Sequence, residues 1–102
     1  MIENLAEWAA TTIDAADAAG VQYLDLNRAS TDYINAIGEE NAQKYNYEDD
    51  DATHLNAGGE VVFGRMVVDL LVEAREDLGE YFESNDAISD KIANGEYASG
   101  DE

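Results

Sequence analysis

The stretch Val21-Gln22-Tyr23-Leu24-Asp25-Leu26 constrains this chain more than any other. It alternates apolar and polar residues with the two-residue period of a half-buried strand. Nothing else in the chain reads as a convincing strand. A lone strand leaves backbone donors and acceptors without partners, so it demands neighbours. Helical patterns flank it, and helix-strand-helix orders usually belong to parallel sheets covered by helices. The reading is therefore an α/β segment, mostly helical with one strand, whose sheet neighbours lie outside these 102 residues. The alternative makes 21–26 a buried turn or helix extension within a small helical bundle.

Around that stretch the periodicity is helical. Leu5, Trp8, Ala9, Thr12, Ile13 and Ala16 share one face of a helix over 3–19, with Gly20 as its stop. Trp8 on that face reads as packing. Ser30 is positioned to cap a helix over 31–37 that carries Tyr33, Ile34 and Ile37 and ends near Gly38; a second helical piece spans Glu39 to Tyr45. Residues 46–59 read as loop, with acids from Glu48 to Asp51 and the pair Gly58-Gly59. From about Glu60 to Leu78, Phe63, Met66, Val67, Leu70, Leu71, Ala74 and Leu78 form one apolar stripe, while Arg65, Asp69, Glu73 and Glu76 face away. Residues 80–102 are acidic, with a short helix over Asp86 to Ile92 and an end expected to fray. No internal repeat is visible.

Charge restricts the partners. The chain carries 24 acidic and 5 basic residues, a net charge of −19. Nucleic acid and anionic membranes both require a cationic surface, so neither is an expected partner. Self-repulsion of this size is relieved by salt or cations. With no cysteine there is no disulfide framework and no thiolate chemistry. No apolar run approaches the ~20 residues of a membrane span. Met1-Ile2-Glu3-Asn4 lacks the basic and apolar regions of a signal peptide. The expectation is either a protein kept inside the cell or a chain that begins downstream of its natural start.

The chemistry-bearing run is Asp51-Ala52-Thr53-His54-Leu55-Asn56, which holds the only histidine. A neutral imidazole takes a proton from a hydroxyl and later returns it to a leaving alcohol. A carboxylate on the other ring nitrogen fixes the tautomer and stabilises the imidazolium. A spacing of three in a tight turn can bring Asp51 and His54 together; a shifted register would offer Asp49 or Asp50 instead. Read without a partner, His54 is a solvated loop histidine among acids. The same run half-matches a calcium loop, with Asp49, Asp51, Thr53 and Glu60 on ligand positions. His54 occupies the sixth position, where that loop requires glycine, so no metal and no cofactor are expected. Tyr45 and Tyr47 beside the acids are candidates to line a substrate cleft. The serines Ser30, Ser84, Ser89 and Ser99 lie in no nucleophile motif.

Three blocks, in order, resemble the C-terminal third of the SGNH, or GDSL-type, hydrolases, closest to the rhamnogalacturonan-acetylesterase-like carbohydrate esterases. Ala18-Ala19-Gly20-Val21-Gln22-Tyr23-Leu24-Asp25-Leu26-Asn27 resembles the family's helix end and last strand. Ile37-Gly38-Glu39-Glu40-Asn41-Ala42 resembles the next helical segment, and Asp51-Ala52-Thr53-His54-Leu55-Asn56-Ala57-Gly58-Gly59 the final Asp-x-x-His-x-x-x-x-Gly block. The resemblance implies a flavodoxin-like three-layer α/β/α sandwich, of which residues 1–79 would be the C-terminal portion and 80–102 an acidic extension. It implies a serine-type esterase acting on acetylated polysaccharides or other esters, with His54 as base and Asp51 as its orienting acid. By resemblance the protein is extracellular. The family's Gly-Asp-Ser nucleophile block and its oxyanion-hole glycine and asparagine have no counterpart here, so the chain alone is expected to be inactive. The alternative is a non-catalytic acidic helical module with a binding or structural role.

Overall fold

The computed structural model describes residues 1–102, a mostly helical α/β domain with one small antiparallel sheet. Helix α1 spans Ala6–Ala19, α2 Leu26–Ile37 and α3 Glu39–Gln43. Strands β1 (Asn46–Glu48) and β2 (Asp51–Leu55) follow, then α4 (Ala57–Ala74), a 3₁₀ segment (Glu76–Tyr81) and α5 (Asp86–Asn94).

Helix α1 forms from local preference. Alanine loses no side-chain entropy in a helix, and Thr11 and Thr12 return their hydroxyls to the carbonyls of Glu7 and Trp8. Gly20 ends it at φ +69°, and the amide of Val21 closes back on Ala16 O at 3.0 Å. No residue of α1 is buried, and Trp8 is 73 % exposed. The packing role expected for Trp8 is thus corrected: Ala9, Ile13 and Ala16 on its face are partly buried, but Trp8 itself stands in water.

The strand expected at 21–26 is absent. Val21–Asp25 is irregular, and Leu26 already belongs to α2. Alternation only describes a chain that would be half-buried if extended; a strand also needs a ladder partner, and none runs alongside. Asp25 instead accepts the amide of Arg28 at 3.0 Å and caps α2, displacing the expected cap at Ser30. The hydroxyl of Ser30 donates to Asn27 O within the helix.

The segment read as loop holds the only sheet. β1 and β2 pair antiparallel, with Asn46 opposite Leu55 and Glu48 opposite Asp51. Asn56 caps α4 by accepting the amide of Gly59 at 2.9 Å, so Gly58 and Gly59 lie in the first helical turn rather than in the loop. The buried line of α4 runs through Val62 and Met66, with Phe63 and Leu70 half-buried beside it. Arg65, expected to face away, has a side chain only 14 % exposed, bonded to Asp69 and to Glu83 O. The helix stops at Ala74 and the chain tightens to 3₁₀ where it was expected to run to Leu78.

The C-terminal end does not fray. After α5, Gly95 turns the chain at φ +69°, and Ala98 is completely buried. The core comprises Tyr33 and Ile37 of α2, Tyr45, Val62 and Met66 of α4, Ile88 of α5, and Ala98. Only nine of 102 residues are buried, so much apolar surface stays in water, including Leu5, Val21 and Tyr23. Four ion pairs to arginine or lysine serve the 24 carboxylates.

Candidate functional site

Strand β2 opens with Asp51 and carries His54 three residues on. Asp51 divides its two oxygens. Oδ1 accepts the backbone amides of Thr53 and His54, each at 2.9 Å, the local closure an aspartate makes at a turn. Oδ2 lies 2.9 Å from Nδ1 of the His54 ring. Asp51, and neither Asp49 nor Asp50, is therefore the partner of the imidazole. The backbone amides of His54 and Thr53 hold the Asp51 carboxyl below its usual range, and the ring contact adds to them. An ionised Asp51 accepts from Nδ1–H, so the neutral ring keeps Nε2 as a free acceptor. The His54 side chain is 75 % exposed and Asp51 26 %, so the acid is partly sheltered while the base stands open to solvent.

Asn56 holds the base of the hairpin. Its Nδ2 donates to Lys44 O at 2.7 Å and Asn46 O at 3.2 Å, and its own amide donates to Tyr45 O at 2.9 Å. One side chain thus joins the start of β1, the end of β2 and the first turn of α4. Sequence reasoning did not single out Asn56. The signal was an N-cap residue immediately before Ala-Gly-Gly, with Glu60 in the first turn.

Tyr45 contributes to the wall of a groove, though almost none of it reaches solvent. It is buried, with its hydroxyl 2.9 Å from that of Tyr33 and donating to Ala98 O at 2.6 Å. Burial pushes its pKa up, and Tyr33 adds to the shift. Its ring meets Phe63 edge-on at 5.3 Å and Tyr97 at 5.4 Å. Tyr47 is exposed on β1. A groove of about 880 Å³ lies between α2, α3 and the hairpin, with Leu26, Ile34, Ala42, Thr53, Leu55 and Phe63 among its walls, but neither Asp51 nor His54 lines it.

No serine hydroxyl reaches His54. Ser30, Ser89 and Ser99 are bonded to Asn27 O, Asp69 and Glu102, and Ser84 lines a separate cavity beside Arg65. No three His, Cys, Asp or Glu side chains converge into a group able to hold a metal ion. No helix is long and apolar enough to cross a membrane. Compared with models of protein families, with curated proteins and with solved structures, the chain matches none of them.

Proposed function

We propose that this chain supplies the base and acid of a serine-type carbohydrate (acetyl) esterase centre, as the C-terminal part of an SGNH-type, flavodoxin-like α/β/α domain. The observation that carries the reading is the 2.9 Å contact between Asp51 Oδ2 and His54 Nδ1, with Nε2 left free. A second observation supports it: α1 and residues 21–25 present Leu5, Trp8, Val21 and Tyr23 to water, the surface a covering sheet would remove from solvent.

In this reading, Nε2 of His54 takes the proton of a serine hydroxyl supplied by the nucleophile block. The serine oxygen attacks the ester carbonyl, and the imidazolium, steadied by ionised Asp51, returns the proton to the leaving sugar alcohol. Water then enters by the same base to release the acid. The substrate is an acetylated polysaccharide or another carboxylic ester, and the site is extracellular by family resemblance.

The self-contained core around Tyr33, Tyr45 and Ala98 favours the other reading, a non-catalytic acidic module. Coding DNA upstream of Met1 separates the two. The esterase reading expects an in-frame Gly-Asp-Ser block within one domain's length. The joined protein should hydrolyse acetyl esters and lose about 10⁴-fold or more in kcat on His54→Ala. The isolated chain should show no hydrolysis above background. Absence of the block, or turnover by the isolated chain that disappears on His54→Ala, overturns the reading.

A further inference from the structure

We propose that residues 96–102 form a strap that positions the His54–Asp51 pair, an inference that rests on the catalytic reading of that pair. Strand β2 is short, and Ala52 to Leu55 are all exposed. A two-stranded ladder alone is marginal in water. A base must nevertheless be held within about 0.5 Å of its working position. That rigidity has to enter through the open end of the hairpin, where Tyr45 and Asn56 meet.

The strap grips that end twice. Ala98 is buried between the two tyrosine hydroxyls: its amide donates to Tyr33 Oη at 3.1 Å, and its carbonyl accepts from Tyr45 Oη at 2.6 Å. Tyr45 is in turn tied to Asn56 through its own carbonyl at 2.9 Å. Two residues before Asn56 stands His54. The second grip is a backbone-to-backbone contact. A Cβ on Gly58 would lie 2.3 Å from Ser99 O, and a Cβ on Gly100 would lie 2.8 Å from Gly58 Cα. The strap therefore rests directly on the first turn of α4, beside its Asn56 cap, and only glycine permits this approach.

Glu102 folds the strap back on itself. Its Oε2 accepts from Lys91 Nζ at 2.9 Å and from the amide of Ser99 at 3.0 Å, while Oε1 accepts the amide of Gly100 at 2.9 Å. These bonds hold the turn that presents Gly100 to Gly58. Residues 80–102 thus acquire a role: α5 anchors the strap, and the strap fixes the hairpin.

The test is amide hydrogen exchange with ring-proton NMR on the full chain, using Gly58→Ala and Tyr45→Phe. Alanine favours the helix at position 58, so Gly58→Ala strikes the strap without weakening α4. Exchange should accelerate about tenfold at Thr53, His54 and Asn56, the scale of one lost hydrogen bond. The His54 Nδ1–H signal should weaken, and interior α4 amides such as Leu70 should keep their rates. Tyr45→Phe removes only the hydroxyl link and should produce the same pattern with a smaller change. If Gly100 exchange rises while Thr53, His54 and Asn56 are unmoved, the strap does not position the pair. Should Gly58→Ala fail to fold, Tyr45→Phe decides on the same signals. No turnover is measured, so failure here leaves the esterase reading standing, and failure of that reading leaves the strap's mechanical link intact.

Discussion

Residues 1–25 and residues 26–102 obey the same helical rules and end in different physical states. Helix α1 has an apolar face, a glycine cap and fourteen residues, yet buries none of them. Helix α2 has twelve residues and buries Thr31, Tyr33 and Ile37. The difference lies in what each face meets. Local preference makes the helix, whereas stability comes from a partner that removes the face from water. All nine buried residues lie in 26–102, so stability should be concentrated there.

The largest expected contrast is between side-chain deletions in the two regions. Met66→Ala removes a buried side chain and should cost about 2–5 kcal/mol in urea unfolding. Trp8→Ala removes the largest side chain of α1 and should cost under about 0.5 kcal/mol, because Trp8 already faces water. Trp8 fluorescence should be that of a hydrated indole. Equal losses from the two substitutions would break the comparison.

Two matched glycines sharpen it. Gly20 and Gly95 both stand at φ +69°, where a Cβ costs about 1–2 kcal/mol. A Cβ on Gly95 would also come within 2.9 Å of Ala36 Cβ, while one on Gly20 would meet nothing within 4 Å. Gly95→Ala should lower the cooperative melting of the body by about 1–2 kcal/mol or more. Gly20→Ala should fray α1, lowering helical circular dichroism, and leave that melting transition in place.

The smallest effect is on pH dependence. Lys91, together with the amides of Ser99 and Gly100, pulls Glu102 from 4.5 down to about 2. A carboxyl with a depressed folded-state pKa binds protons more readily in the unfolded chain. Its stabilisation is therefore complete above about pH 4.5 and is lost as the pH falls towards about 2. Glu102→Gln should flatten the stability profile in that acid window and change its slope little at neutral pH. An unaltered acid slope would show that the strap turn contributes nothing to folding.

What could be read from residue order follows the same division. Helix α1, the Gly20 stop, most of α4 and α5 rest on local signals, and these formed close to the expected positions. The Asp51–His54 contact was also legible, because both groups lie within one turn of chain. Partner-dependent features were not. Alternation at 21–26 described a strand with no ladder to join, and Asp25 turned the stretch into a cap. The hairpin was hidden by its brevity. Ala98 gave no hint of its burial, since its partners Tyr33 and Tyr45 are 65 and 53 residues away. Arg65 looked solvent-facing because Glu83 O, which draws it in, is 18 residues further along.

The central claim is that Asp51 fixes the His54 ring with a proton on Nδ1 and Nε2 open as a base. Nitrogen-15 NMR of the His54 ring in its neutral form tests it directly, in the native chain and in Asp51→Asn. The account predicts a proton-bearing Nδ1 and a bare Nε2 in the native chain, a preference lost in the variant. A native ring protonated on Nε2, as histidine free in water prefers, and unaffected by Asp51→Asn would contradict it.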